Sequence, residues 1–325
     1  MAIITYRDAI RDALKEEMAR DEQVYLLGED IAQFGGSYKT CVGLFEQFGK
    51  ERVRNTPLSE MAVVGCALGS AMLGRRPVAE IMYVDFTACC MSQIVNEVAK
   101  TRYMYAGQVE IPMVIRTQGG AGRASAAQHA QSLEAWFTHV PGLYVVMPST
   151  PYDAKGLLKT AIRDNNPILF IEHKLLYNSK GEVPEQEYTI PLGKADIKRP
   201  GKDVTILTWS RCVDFSLKAA IELEKEGIDI EVVDLRSLKP LDEKTILASV
   251  EKTGHVVVVH EAVKNTGFGA ELVALINEKA FDALDAPVQR VAGEEVPMPF
   301  NPRLEAMAIP DTNKVMAAVK KVLSF

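Results

Sequence analysis

Residues 113–122 read Met-Val-Ile-Arg-Thr-Gln-Gly-Gly-Ala-Gly, a short apolar run that leads into a glycine-rich loop. Such a run predicts a buried strand, and the glycines after it leave the backbone free to approach a ligand closely. Comparable strands are predicted at Val24–Leu27, Val78–Met82, Met113–Ile115, Leu143–Met147 and Ile168–Glu172. Amphipathic helical stretches separate them, so the sequence predicts an α/β fold with a parallel sheet.

A second series of predicted strands and helices follows a change in amino-acid composition. Between Asn178 and Lys202 the sequence becomes polar and is interrupted by glycine and proline, which predicts a domain boundary. Beyond it, strands are predicted at Val204–Trp209, Ile230–Leu235 and Val256–His260. Helices are predicted near Val213–Glu226, near Glu243–Lys252, from Gly267 to Phe281 and from Asp311 onward. The length of 325 residues agrees with two domains.

The composition argues against several classes of protein. Apolar residues make up 47% of the chain and charged residues 25%, which is typical of a globular protein and excludes a fibrous or disordered one. A net charge of −6 without a basic block argues against nucleic acid as the main partner. The longest apolar run, Ala62–Leu73, is too short to cross a membrane. The first residues carry no recognisable targeting signal, so we expect a cytoplasmic protein.

Two features that could suggest a cofactor site are more typical of packing. The five cysteines are odd in number and include no Cys-x-x-Cys pair, which argues against disulfides, a zinc site or an iron–sulfur cluster. The adjacent Cys89 and Cys90 are therefore expected as small core residues. Gly65 and Gly69 lack the spacing of a phosphate loop and are expected to allow close helix–helix packing.

Taken one at a time, the candidate polar residues give weak signals. Glu60 stands at a loop-to-helix junction, where a carboxylate is commonly just a favourable charge near a helix N-terminus. His129 follows the glycine-rich loop, but a lone histidine is more often packed than catalytic. Asn165 and Asn166 precede a proline and mark a turn. None of these residues specifies an activity by itself.

In combination, seven segments in a fixed order resemble one family. They are Leu26–Asp30, Asn55–Glu60, Glu80–Phe86, Ala126–Ser132, Ala161–Pro167, Asp234–Asp242 and His260–Glu261. The chain resembles, over its whole length, the beta subunit of the first, decarboxylating component of 2-oxo acid dehydrogenase complexes. This family includes the pyruvate, branched-chain and acetoin dehydrogenases, which depend on thiamine diphosphate.

The resemblance implies two α/β domains with parallel sheets. A pyrimidine-binding domain for thiamine diphosphate would cover residues 1–185, and a transketolase-type C-terminal domain would cover residues 203–325 after a linker at 186–202. Glu60 then matches the glutamate that contacts the cofactor's aminopyrimidine ring nitrogen. A carboxylate that shares a proton with this nitrogen favours the imino form, which can remove the thiazolium proton, whereas an amide could not supply that proton.

The resemblance also assigns the other site residues. Leu58 and Phe86 match apolar residues that flank the pyrimidine. His129 matches the active-site histidine, which would orient the substrate or assist acyl transfer to lipoamide. Glu29 is similar to an acid on a path between active sites, although an ordinary surface acid is the interpretation that we favour for it. Ala161, Ile162, Asp164 and Asn166 match a loop that binds potassium, mainly through backbone oxygens, in some members.

The family's diphosphate site needs Mg²⁺ held by a Gly-Asp-Gly motif, and the sequence contains none. The resemblance therefore implies an alpha subunit that supplies the Mg²⁺ ligands, in an assembly of two alpha and two beta chains. A lipoyl acyltransferase core is the further implied partner. We expect pyruvate or acetoin as the substrate, with a branched-chain 2-oxo acid as the alternative.

Two other functions stay open at this stage. The first is a non-catalytic assembly subunit that binds the acyltransferase core, against which the intact set of Glu60, Phe86 and His129 argues. The second is a subunit of a 2-oxo acid:ferredoxin oxidoreductase, against which the lack of clustered cysteines argues.

Overall fold

The computed structural model describes residues 1–325, and the chain divides into two compact units. The first unit contains residues 1–119 and 136–192, and the second contains residues 120–135 and 193–325. A short segment from the middle of the chain thus belongs with the C-terminal part. The domain limits expected from the sequence, 1–185 and 203–325, stay a prediction. Local composition carries no sign that residues 120–135 belong with the C-terminal part.

The first unit and its connections alternate strands with helices. The strands are β1 (Ala2–Thr5), β2 (Val24–Gly28), β3 (Val53–Asn55), β4 (Arg76–Ile81), β5 (Val114–Gly119), β6 (Tyr144–Val146), β7 (Ile168–His173) and β8 (Lys180–Val183). The helices are α1 (Tyr6–Arg20), α2 (Leu44–Phe48), α3 (Glu60–Met72), α4 (Ala99–Met104), α5 (Glu134–Thr138) and α6 (Pro151–Arg163). A 3₁₀ segment, Val84–Cys90, and a π-helical segment, Gln93–Val98, lie between β4 and α4.

Most of these strands form a parallel sheet in the order β6-β7-β5-β4-β2-β3. Gly28 of β2 pairs with Asn55 of β3 on one side and with Glu80 of β4 on the other. Because the strands are parallel, their carboxyl ends share one edge, which is where α/β sheets bind ligands. Strands β1 and β8 form a separate antiparallel pair.

Helices α1 and α6 pack against each other and cover part of this sheet. Helix α1 begins after Thr5, whose hydroxyl accepts a hydrogen bond from the Asp8 amide. Its apolar stripe of Ile10, Leu14 and Met18 is buried. Helix α6 begins after Thr150, which caps it in the same way, with a proline at the start. The buried faces of both helices form one core with β2, β4, β5, β6 and β7.

The second unit has its own sheet. The strands within residues 193–325 are β9 (Asp196–Arg199), β10 (Val204–Thr208), β11 (Ile230–Asp234), β12 (Ser237–Lys239), β13 (Val256–Val263) and β14 (Gln289–Gly293), and all but β12 belong to this sheet. Its helices are α7 (Cys212–Glu224), α8 (Glu243–Thr253), α9 (Phe268–Ala280), α10 (Pro302–Ala308) and α11 (Thr312–Val322), with a 3₁₀ turn at Phe281–Ala283. The sheet order is β14-β13-β10-β11-β9, and only β9 is antiparallel to its neighbour.

The predicted α/β class with mostly parallel sheets is confirmed, and the main predicted strands lie within a few residues of the observed ones. The short strands β1, β3, β8, β9, β12 and β14 were not predicted. Each has only three to five residues, too few to show a periodicity. No helix of the chain has both the length and the apolar character needed to span a membrane.

Two expectations about packing differ from what the structure shows within this chain. Gly65 and Gly69 lie on an exposed face of α3, and no atom outside that helix comes within 4 Å of the place where a Cβ would stand. No other helix of this chain therefore packs closely on them. Cys90 is buried as expected, but Cys89 is exposed.

Candidate active site

The carboxyl edge of the first sheet collects several of the candidate residues. Strand β2 ends at Gly28 and is followed by Glu29. Strand β4 ends at Ile81, and the 3₁₀ segment with Phe86 comes next. Strand β3 leads through the loop at residues 56–59 into α3. Because these three strands are parallel neighbours, their exits lie side by side.

Glu60 is the first residue of α3, and its side chain is half-buried. The preceding residue, Ser59, makes no side-chain cap, so backbone N–H groups of the first turn stay available at the helix end. These groups and the helix dipole stabilise a carboxylate at this position. The sheet edge thus presents an acidic side chain with part of its surface accessible.

The charge of Glu60 acts on two neighbours. Glu29 is only 9% exposed, and this burial raises the pKa of its carboxyl. The negative charges of Glu60, Asp30 and Glu80 raise the pKa of Glu29 further. Burial, and then the charge of Glu60, raises the pKa of the Cys90 thiol to about 12. Glu29 and Glu60 therefore form an acidic pair in which Glu29 keeps its proton to a higher pH than an ordinary glutamate.

Apolar groups stand beside this pair. Leu58, two residues before Glu60, is 82% exposed. The 3₁₀ segment that carries Phe86 packs against α3, and the half-buried Phe86 ring meets Tyr83 edge to face at 5.9 Å between centroids. An exposed leucine just before Glu60 and a half-buried phenylalanine on a segment that packs against α3 provide apolar contact surface and a single polar partner. This combination suits a flat heteroaromatic ring.

A buried ionic network lies behind the same edge. Arg116 of β5 donates to Glu172 of β7 at 2.7 and 3.0 Å and to Glu80 of β4 at 2.9 Å. The Tyr177 hydroxyl donates to Glu172 at 2.5 Å. Burial raises the pKa of Glu80. Burial lowers the pKa of Arg116, but the two glutamates more than offset this and raise it well above its usual value. One guanidinium thus compensates two buried carboxylates.

We expect Arg116→Met to destabilise the fold by about 3–5 kcal/mol, because it leaves Glu80 and Glu172 buried without their cation. The loss should be smaller near pH 5, where the carboxyls can take up protons. Chemical unfolding at two pH values measures both effects. The matched control is Arg54→Met, which removes a half-exposed guanidinium and should change stability by no more than about 0.5 kcal/mol. Equal losses in the two variants would contradict the role of the network.

His129 belongs to the second unit, in the segment at residues 120–135. Its side chain is half-buried. Gly120 and Gly122 have φ angles of +90° and +102°, and Ala124 and Ala126 also have positive φ. The Gly120 amide donates to the Gln131 carbonyl at 2.9 Å and closes the segment into a loop around His129. Two alanines in a left-handed conformation indicate that the surroundings impose the shape of this loop.

A buried acid follows the loop. Glu134 is 1% exposed and accepts a hydrogen bond from the Trp209 indole at 3.2 Å. The Trp209 ring stacks on His260 at 5.3 Å between centroids. Burial raises the pKa of Glu134 to about 7, although hydrogen bonds from its own backbone and from Trp209 act in the opposite direction. The Glu134 carboxyl therefore titrates near neutral pH.

Glu134→Gln is expected to change how stability depends on pH. The carboxyl ionises near pH 4.5 in the unfolded chain and near 7 in the folded one, so the folded state binds more protons between these values. The wild type should thus lose stability as pH rises through this window, by up to about 3 kcal/mol. The glutamine variant lacks this slope, so its free energy of unfolding should rise relative to that of the wild type from about pH 5 to about pH 8. Parallel stability curves for the two proteins would contradict this account.

The loop expected to bind potassium lies at the opposite edge of the first sheet, between α6 and β7. The Arg76 guanidinium donates to the carbonyl oxygens of Ile162 and Asp164 at 2.9 and 3.0 Å. Asp164 Oδ1 accepts from the backbone and side-chain amides of Asn166 at 2.7 and 2.9 Å. A protein cation thus contacts two of the expected carbonyl ligands. No group of three or more His, Cys, Asp or Glu side chains is arranged to hold a metal ion.

Comparison with known proteins identifies the family. Residues 2–180 match the transketolase pyrimidine-binding domain, and residues 193–315 match the transketolase C-terminal domain. The chain is 48% identical to the 2-oxoisovalerate dehydrogenase subunit beta of Bacillus subtilis (strain 168), over 100% of both chains. The chain belongs to the beta-subunit family of the 2-oxo acid dehydrogenases.

Other relatives of this beta-subunit family member are named for different substrates. It is 46% identical to the pyruvate dehydrogenase E1 component subunit beta of Rhizobium meliloti (strain 1021), over 99% of this chain and 70% of that one. It is 49% identical to the acetoin:2,6-dichlorophenolindophenol oxidoreductase subunit beta of Cupriavidus necator, over 97% and 96%. A solved structure, a split-gene transketolase described as an inactive beta4 tetramer, matches with a TM-score of 0.82 at 25% identity, over 99% and 98% of the chains.

The domains of this beta-subunit family imply dependence on thiamine diphosphate. The aminopyrimidine of this cofactor is a flat ring with basic nitrogens. The accessible apolar groups of Leu58 and Phe86 beside the half-open carboxylate of Glu60 fit such a ring. The residues at the sheet edge are therefore chemically suited to the group that the family binds.

The structure distributes the predicted residues over three places. Four of them come together at the carboxyl edge of the first sheet: Glu29, Leu58, Glu60 and Phe86. The potassium-loop residues Ala161, Ile162, Asp164 and Asn166 lie at its other edge. His129 lies in the second unit. The individual roles assigned to these residues stay predictions.

The buried network of Arg116, Glu80 and Glu172 was not predicted from the sequence. A usable signal existed, because each of these charged residues stands inside an otherwise apolar strand of a parallel sheet. A charge buried there needs a partner of opposite sign on a neighbouring strand. Arg116 on the central strand between two glutamate-bearing strands satisfies that condition.

Proposed function

We propose that this chain supplies the aminopyrimidine half of a thiamine diphosphate site in a 2-oxo acid dehydrogenase. The observation that carries the proposal is the half-buried Glu60 carboxylate at the sheet edge beside Leu58 and Phe86. Glu60 would hold a proton between its carboxyl oxygen and a ring nitrogen, while the two apolar side chains would contact the ring. When bound, the cofactor supplies the electron sink that cleavage of a bond next to a carbonyl requires.

Glu29 and His129 are proposed to move protons and to orient the substrate. Glu29 lies near enough to Glu60 for its pKa to be raised by that charge, so it can keep a proton beside Glu60. A proton store next to the activating acid agrees with a place on an acidic path between active sites. We propose that the His129 imidazole orients the 2-oxo acid or the acyl group and assists acyl transfer to a lipoyl group.

The remaining half of the site is proposed to come from an alpha-type chain. This chain contains no Gly-Asp-Gly motif to bind the Mg²⁺ of a diphosphate, so the alpha chain would supply those ligands. Exposed apolar side chains at both ends of α3, Met61 in its first turn and Leu73 directly after its last residue, are available for contact. The relative described as an inactive beta4 tetramer supports the need for a second kind of chain. We propose two alpha and two beta chains bound to a lipoyl acyltransferase core, in the cytoplasm.

A potassium ion is proposed for the loop at residues 161–166, with carbonyl oxygens as its main ligands. Arg76 now donates to the Ile162 and Asp164 carbonyls, so ion binding would require this side chain to move. The expected consequence is a requirement for potassium in the stability of the assembly.

The substrate is proposed to be pyruvate or acetoin, with a branched-chain 2-oxo acid as the alternative. Relatives named for all three lie between 45% and 49% identity, so overall similarity does not separate them. The test is co-expression with the alpha-type chain, followed by reduction of an artificial electron acceptor with pyruvate, acetoin and 3-methyl-2-oxobutanoate in parallel. Turnover of one substrate that needs both chains, thiamine diphosphate and Mg²⁺ would support the proposal and identify the substrate.

The opposite result also has a clear meaning. A well-formed complex that turns over none of the three substrates would overturn the proposed substrates. If Glu60→Gln then also left cofactor binding unchanged, the proposal that this chain takes part in catalysis would fail as well. The chain would then be better described as an assembly subunit that holds the acyltransferase core.

A further inference from the structure

The loop that carries His129 is held by carboxylates far along the chain. Glu305 of α10 accepts hydrogen bonds from the Gly122 amide at 2.8 Å and from the Ala124 amide at 2.9 Å, one with each carboxylate oxygen. Glu261 of β13 accepts from the Ala121 amide at 2.7 Å. These bonds satisfy backbone donors in the part of the loop where positive φ angles turn the chain.

Both acids are well placed to fix the loop. Glu305 is 2% exposed and Glu261 is 9% exposed, so water competes little for their oxygens. Glu261 Oε1 also accepts from the Ser132 hydroxyl at 3.1 Å, so one carboxylate joins the two ends of the loop. Around them, Ala121 packs with Ala130 and Ile309 in a small buried cluster. His129 lies between the two anchored ends.

We propose that Glu305, together with Glu261, is a positioning residue that holds the His129 loop in its working conformation. This inference rests on the proposed function only in so far as His129 acts on the acyl group. Each oxygen of Glu305 accepts one amide, and an isosteric glutamine keeps only one acceptor, because its NH₂ group cannot accept a hydrogen bond. Glu305→Gln therefore removes one anchor without removing side-chain volume.

The first measurement is amide hydrogen exchange of the peptide at residues 120–135 in the assembled enzyme. Loss of a hydrogen bond to a charged acceptor should speed exchange of this peptide by about ten-fold or more in Glu305→Gln. The control, Glu295→Gln, changes an exposed glutamate that binds only the Asn265 side chain, and it should leave the peptide unchanged. Unchanged exchange in Glu305→Gln would overturn the proposal, and this readout does not depend on which reaction the enzyme catalyses.

The second measurement separates positioning from general stability by a double-mutant cycle. Lipoamide-dependent turnover of Glu305→Gln should fall by about ten-fold while dye-linked turnover changes by less than about two-fold. In a His129→Ala background the same substitution should have no further effect on lipoamide-dependent turnover, because the positioned group is gone. Equal losses in both assays and both backgrounds would show a merely structural role and overturn the proposal. If His129→Ala itself spared lipoamide-dependent turnover, the proposed role of His129 would fail, while the exchange result would still decide the anchor.

Discussion

Glu60→Gln is expected to reduce turnover of the assembled enzyme by about 10²–10⁴-fold. The amide can still donate or accept one hydrogen bond toward a ring nitrogen, but it cannot share or supply a proton there. The isosteric change also leaves the start of α3 and the contacts of Leu58 and Phe86 in place. Steady-state turnover, with size-exclusion chromatography to confirm the assembly, measures the effect.

A matched control separates catalysis from helix stability. Glu243 is likewise the first residue of a helix, α8, and its exposed carboxylate forms an ion pair with Lys279. Glu243→Gln should therefore leave turnover within about two-fold of the wild type. If Glu60→Gln also retained full turnover in an intact assembly, Glu60 would have no role in activating the cofactor. That result would support the alternative that the chain is a non-catalytic assembly subunit.

His129→Ala is expected to act on a different stage of the reaction. Lipoamide-dependent turnover should fall by about 10²-fold or more, because a positioned acid–base group is lost from acyl transfer. Turnover with an artificial electron acceptor should suffer much less, since that assay bypasses the lipoyl group. The ratio of the two activities in one preparation is the quantity to measure.

His139→Ala provides the comparison for this second prediction. His139 is exposed and lies ten residues further along the chain, so its loss should leave the ratio unchanged. A His129→Ala variant with full lipoamide-dependent activity would refute the assigned role. A variant that lost both activities equally would indicate that His129 acts before acyl transfer, for example in orienting the substrate.

The parallel strands and the acidic sheet edge could be predicted from the sequence because their signals are local. Apolar runs such as β7 give the strand, and the residues that follow a strand of a parallel sheet lie at its ligand-binding edge. Glu60 was placed correctly at the junction of a loop and a helix by its neighbours alone. Its relation to Phe86, by contrast, came from the resemblance to a family.

The features that could not be predicted depend on contacts between residues that are far apart in the sequence. The segment at residues 120–135 belongs with the second unit, although it directly follows a strand of the first. In the sequence, nothing distinguishes Glu305 from an exposed glutamate on a helix. In the structure it is buried and accepts hydrogen bonds from the backbone amides of Gly122 and Ala124. Gly65 and Gly69 predicted close packing, but α3 leaves them exposed, so any partner for that face must be another chain. Long-range pairing of this kind leaves no periodicity to detect.

We propose above that this chain contributes only half of a thiamine diphosphate site. The direct measurement is calorimetric titration of thiamine diphosphate with Mg²⁺ into three samples: this chain, the alpha-type chain, and the assembly of both. We expect saturable binding to the assembly, weakened in the Glu60→Gln assembly, and little binding to either chain alone. Tight binding to this chain by itself, with the same affinity in the Glu60→Gln variant, would refute the proposal of a shared site.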